Sequence, residues 1–120
     1  MPDKIDEMLK ELYAQTWSEL QKSFNTAKKE KQYEKIIEIA TKTLQLDAEA
    51  KFIGILVPSF EKDIADAYLK LEQRDKATEH YQAALIGYRA EHEKNKKTSP
   101  DSWQKEIERL EKKLKSLLPK

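Results

Sequence analysis

The segment Asp66-Ala67-Tyr68-Leu69-Lys70-Leu71-Glu72-Gln73-Arg74-Asp75-Lys76-Ala77-Thr78-Glu79-His80-Tyr81-Gln82-Ala83-Ala84-Leu85 carries apolar residues three and four apart on both sides of a polar break at residues 72–75. That spacing lines one face of an α-helix. The segment is therefore expected to hold the end of one helix, a tight turn, and the start of a second, antiparallel helix.

Working outward, the upstream stripe runs back through Ile64, Phe60, Val57, Ile53 and Ala50, with Asp47 as its expected amino cap and Pro58 expected to kink or briefly break it. The downstream stripe continues to Tyr88 and fades into the charged residues 89–97. An earlier pair of stripes shows the same organisation. Ile5, Met8, Leu9, Leu12, Trp17, Leu20, Phe24 and Ala27 make one long helix capped by Asp3, residues 28–32 are wholly polar, and Tyr33, Ile36, Ile37, Ile39, Ala40, Leu44 and Leu46 open another. After the loop at residues 94–100, Trp103, Ile107, Leu110, Leu114 and Leu117 mark a fifth helix that begins at Asp101 or Ser102 and ends at Pro119.

Composition agrees with long amphipathic helices. Of 120 residues, 38% are charged and 38% apolar, with two glycines and four prolines. The absence of cysteine removes disulfides and thiolate metal sites, so packing must supply the stability. Twenty-three basic against twenty-two acidic residues leave a formal charge of +1, which gives no whole-molecule field to gather nucleic acid or anionic lipid. The apolar run at residues 53–57 falls far short of the roughly 20 residues of a membrane span. The acids among the first residues do not suit a leader peptide, and a cytoplasmic protein is expected.

No constellation points to catalysis. His80 and His92 lie twelve residues apart on one expected helix, about 18 Å along its axis, too far to share a metal. Asp66, Glu108 and Glu111 each sit three or four residues from a lysine, Glu106 three from Arg109, and Asp63 beside Lys62, the pattern of surface ion pairs. With only Gly54 and Gly87, no phosphate-cradling loop can be built. The expectation is a protein that is not an enzyme and takes no cofactor or metal. Trp17 and Trp103 read as core aromatics on their stripes, and the lysine clusters 28, 29, 31 and 94, 96, 97 as helix-end charges.

The quoted segment closely resembles the middle of a tetratricopeptide repeat: Ala65, Tyr68, Ala77, Tyr81 and Ala84 fall on that family's small, large, small, large, small positions. It departs at Glu72, where the family usually has a turn glycine, and at Arg74, where an aromatic is common. A more degenerate copy is seen in Phe24, Ala27, Tyr33, Ile36, Ala40, Thr43 and Leu44, closing with Leu46-Asp47-Ala48. The copies start near Trp17 and Pro58, 41 residues apart instead of the family's 34, and the surplus of about two helical turns keeps the apolar face in phase.

What the resemblance implies is an all-α chain of antiparallel hairpins stacked as a short solenoid with long helices, one domain in all. Residues 1–47 would form the first hairpin, 48–97 the second, and 101–118 a capping helix. It further implies a protein-binding module that holds a peptide or helix in a groove lined by the first helix of each hairpin. The groove residues would be Gln21, Lys22, Asn25, Lys28 and Lys29 in the first copy, and Lys62, Asp66, Leu69 and Lys70 in the second. These make a mildly basic surface, suited to an acidic partner. Some members clamp the terminal carboxylate of chaperone tails; Asn25 matches that pattern, but Gln21 stands where the clamp has a lysine and Asp63 where it has a second asparagine. The alternative to peptide binding is self-association, to a homodimer for instance, through the amphipathic terminal helices, with Ile107, Leu110 and Leu114 as contacts.

Overall fold

The computed structural model describes residues 4–50 and 57–118, and among them it is all helix and connecting turn. The helices are α1 (Lys4–Lys29), α2 (Tyr33–Ala50), α3 (Val57–Lys70), α4 (Arg74–Lys94) and α5 (Gln104–Leu117). They fall into two compact units, Met1–Leu56 and Val57–Lys120. In the first, α1 packs on α2; in the second, α4 packs on both α3 and α5.

The two hairpins are built alike. Two residues past the end of each first helix comes a residue with left-handed backbone, Lys31 (φ 57°) in one and Glu72 (φ 62°) in the other, 41 positions apart. The hydrogen bonds repeat at the same spacing. Gln32 N–H donates to the Ala27 carbonyl and Lys31 N–H to Lys28 (2.9 and 3.2 Å), and Gln73 N–H donates to Tyr68 and Glu72 N–H to Leu69 (2.9 and 3.0 Å). These paired bonds satisfy the carbonyls a helix end leaves open, in the arrangement that normally recruits glycine. The expected turn therefore forms with Glu72 in the place of a glycine, at the cost of left-handed strain in a side-chain-bearing residue.

The cores follow the same spacing. Phe24, Ala27, Ile36, Ala40 and Thr43 are buried in the first hairpin, and Ala65, Ala77, Tyr81 and Ala84 in the second, with Tyr68 half-buried. Counted outward from each turn, Ala27 lies level with Ile36 and Phe24 with Ala40, while Tyr68 lies level with Ala77 and Ala65 with Tyr81. Every level sets one small residue against one large, and the two hairpins exchange which helix supplies the bulk. Ala77 and Ala84 are 0% exposed, as close helix approach requires.

Several boundaries differ from expectation. α2 runs on through Ala50, so Asp47 lies inside the helix and caps nothing; Ala48, Glu49 and Ala50 are good helix formers and outweigh the cap preference. Asp3 and Ile53 fall outside the described residues. Pro58 sits in the first turn of α3, where its missing N–H costs nothing. Its buried ring is received by Gly87 of α4, where an added Cβ would lie 2.4 Å from Pro58 Cγ. Trp103 is not on the α5 stripe. It precedes the helix in left-handed backbone (φ 64°), its ring 5.4 Å from that of Tyr88, so packing against α4 holds a conformation that a bulky residue disfavours.

Two substitutions test these devices. Glu72→Gly removes the left-handed strain but adds unfolded-state freedom, and is expected to raise the urea midpoint by about 0.5–1 kcal/mol equivalent at unchanged slope. Gly87→Ala gains about 1 kcal/mol of helix propensity yet overpacks the Pro58 contact by about 1–3 kcal/mol, and is expected to lower the midpoint.

Candidate functional site

On α1, the predicted residues recur at spacings of three and four and share one flank. Lys22, Asn25, Lys28 and Lys29 are exposed, and Gln21 is half-buried. Lys28 and Lys29 occupy the last turn, where positive charge complements the helix dipole, and Lys28 Nζ lies 5.4 Å from the Phe24 ring centroid. Gln21 Oε1 and, one turn away, Trp17 Nε1 are buried without a hydrogen-bond partner among the described residues. Gln21 is thus less available than the stripe implied. Lys22 turns aside to line a groove between α1 and α2.

On α3, the predicted residues are drawn into the hairpin itself. Lys62 Nζ pairs with Asp66 Oδ2 at 3.1 Å, and Asp66 also accepts a short hydrogen bond from the Tyr81 hydroxyl of α4. Burial works to lower the Lys62 pKa, but the hydrogen bond and charge of Asp66, helped by Asp63, raise it above the ordinary lysine value. The Tyr81 hydroxyl is raised too, first by burial and then by the Asp66 carboxylate beside it. Tyr88 is raised chiefly by burial, against a hydrogen bond with Ser59 that works the other way. Asp66 is therefore a strut between α3 and α4, whereas Leu69 is half-buried and Lys70 exposed.

Neither histidine is near a metal-ligand set. His80 Nδ1–H donates to Glu61 Oε2 at 2.6 Å across the α3–α4 seam, and the His80 ring stacks on Tyr68 at 5.4 Å. His92 Nδ1–H donates to the Ser102 carbonyl at 2.9 Å and holds the loop before α5. Among the described residues, no three His, Cys, Asp or Glu side chains gather closely enough to hold a metal, and no helix is long and apolar enough to cross a membrane. On α5, Leu110 and Leu117 are buried, and Arg89–Glu111 (3.7 Å) and Arg74 to the Ser116 carbonyl (3.4 Å) tie the helix to α4.

The surface that the stripes did not disclose is the α1–α2 groove, about 480 Å³ in volume, with Leu20 and Ile39 on its floor and Lys22, Lys35, Glu38 and Lys42 on its rim. A smaller recess of about 210 Å³ extends it past Leu20 and Lys42 to Leu46. The 41-residue spacing sets Leu20 and Ile39 at the positions of Glu61 and His80, and Leu46 at that of Gly87. In the second hairpin that seam carries the Glu61–His80 hydrogen bond and the buried Pro58 ring; in the first it is open, with Leu20 and Ile39 set among polar and charged side chains. No family model, curated protein or solved structure matches the chain.

Removing the Tyr81 hydroxyl tests the strut. Tyr81→Phe is expected to cost about 1 kcal/mol at neutral pH. The raised Tyr81 pKa stabilises the fold in full below about pH 10 and loses that contribution as pH climbs from there through the folded value. The parent is thus expected to lose stability more steeply than the variant in alkaline urea titrations.

Proposed function

We propose that this chain is a protein–protein interaction module of tetratricopeptide-like hairpins that binds a peptide or helix bearing acidic residues. The observation that carries the reading is the repetition at one spacing of 41 residues of both turn geometry and buried positions, since duplicated hairpins present duplicated surfaces. The first helix of each hairpin offers the contacts: Asn25, Lys28 and Lys29 on α1, and Leu69 and Lys70 on α3, where Lys62 is held by Asp66.

Mild basicity supports an acidic ligand. Of the exposed residues in this set all the charged ones are lysines, and the acid among the predicted residues, Asp66, is already paired. Charges on such a rim steer association and set specificity more than they add affinity. The reading carries with it a non-enzymatic protein without cofactor, acting in the cytoplasm.

The test is a titration of the partner captured from native lysate against the parent and two reversed variants. Lys29→Glu and Lys70→Glu lie on exposed helix ends, so helicity is expected to hold while affinity falls roughly tenfold. Binding by both variants at parental strength, or parental binding indifferent to salt, would remove the lysine flank from the interface.

A further inference from the structure

We propose that the first half of α1 presents a docking ridge, made by Met8, Leu12 and Thr16, for a cationic amphipathic helix of a partner protein. The inference goes beyond the acidic-ligand reading and does not rest on it, since Asn25, Lys28 and Lys29 stand in the last two turns of the same helix.

The ridge is apolar and open. Met8 and Leu12 lie one turn apart and are 62% and 58% exposed, although both gain by leaving water. Thr16, one turn further, spends its hydroxyl on the Leu12 carbonyl at 2.9 Å and so requires no polar partner. The next turn brings Leu20, which with Leu46 of α2 lines the recess of about 210 Å³; Lys42, also at that recess, is engaged with Glu38 at 3.1 Å. A lone exposed apolar side chain is ordinary on a protein surface. A row of them at four-residue spacing is a ridge of the kind that a second helix receives in its groove, and from Met8 to Leu20 it runs for about 18 Å.

Charge selects the occupant. The adjoining row, again at four-residue spacing, is Glu11, Gln15 and Glu19, all exposed. Among the described residues neither carboxylate takes part in an ion pair or a hydrogen bond. No basic residue occurs between Lys10 and Lys22 to supply one from the same stretch of helix. The helix dipole accounts for acids in the first turn, but Glu11 and Glu19 lie beyond it. Unpaired carboxylates beside the ridge repel phosphate, which turns away nucleic acid and anionic lipid. A second copy fares no better, because a two-fold axis between antiparallel α1 helices sets carboxylate flank against carboxylate flank. The complement is a helix with apolar residues at four-residue spacing and lysines or arginines along one flank.

The probe is a synthetic helical peptide of about 15 residues with leucines at that spacing and arginines on one flank, beside a twin with glutamates in place of the arginines. Fluorescence anisotropy against the full chain is expected to show binding of the arginine peptide and not of its twin. Leu12→Gln, and separately the pair Glu11→Lys with Glu19→Lys, are each expected to weaken that binding roughly tenfold or more, and the pair to gain affinity for the twin. All three sites are exposed, so far-UV helicity is expected to hold. Glu79→Lys with Glu93→Lys, at exposed sites on α4, changes the net charge equally and leaves the affinity as it was. A parent that binds neither peptide, or both alike, overturns the proposal, as does Leu12→Gln without effect or an equal loss from the α4 pair. So does a dimer of the chain alone, seen in sedimentation equilibrium, that Leu12→Gln disperses, since a second copy then occupies the ridge.

Discussion

An alanine set level with a bulky side chain is the condition on which both hairpins depend. Helix axes approach closely only where one partner has no side chain beyond Cβ, and the gap is then filled from across the seam. Phe24 stands level with Ala40 and Tyr81 with Ala65, so the two hairpins meet this condition in opposite senses, with the bulk carried by different helices. The turn follows from it. Once the axes are close and antiparallel, the chain must reverse within three residues, and the left-handed Lys31 and Glu72 are what that reversal requires.

Polar chemistry then divides the hairpins. In the second, the Tyr81 hydroxyl reaches Asp66, which in turn holds Lys62, while Glu61 meets His80, so α3 and α4 are pinned by directional bonds as well as by packing. Directional bonds penalise sliding and rotation more sharply than apolar contact does. In the first hairpin the buried Thr43 hydroxyl bonds back to the Ile39 carbonyl of its own helix, so it adds no bond across the seam.

The helices and their hairpin pairing were legible in the sequence because 3.6-residue periodicity is strong over stripes this long, and the small and large positions gave the pairing. Ends were less legible. Asp47 carries a cap signal that the following helix formers overrode, and Trp103 fitted the α5 spacing although a left-handed backbone places it before the helix. Among the proposed contact residues, spacing identified the shared flank of α1 but could not show that Asp66 is committed to Tyr81, a bond between residues 15 apart in sequence. The α1–α2 groove was hidden for another reason. Leu20 and Ile39 read as ordinary core positions, and only alignment of the two copies, which sets them against Glu61 and His80, distinguishes them.

The guanidinium of Arg74, in the first residue of α4, reaches the Ser116 carbonyl near the end of α5, while Trp103 at the other end of α5 rests on Tyr88. The last helix is thereby fastened at both ends to the same neighbour, and one fastening lies beside the turn at Glu72. Fraying of the final turns therefore also releases the Arg74 bond beside the α3–α4 reversal.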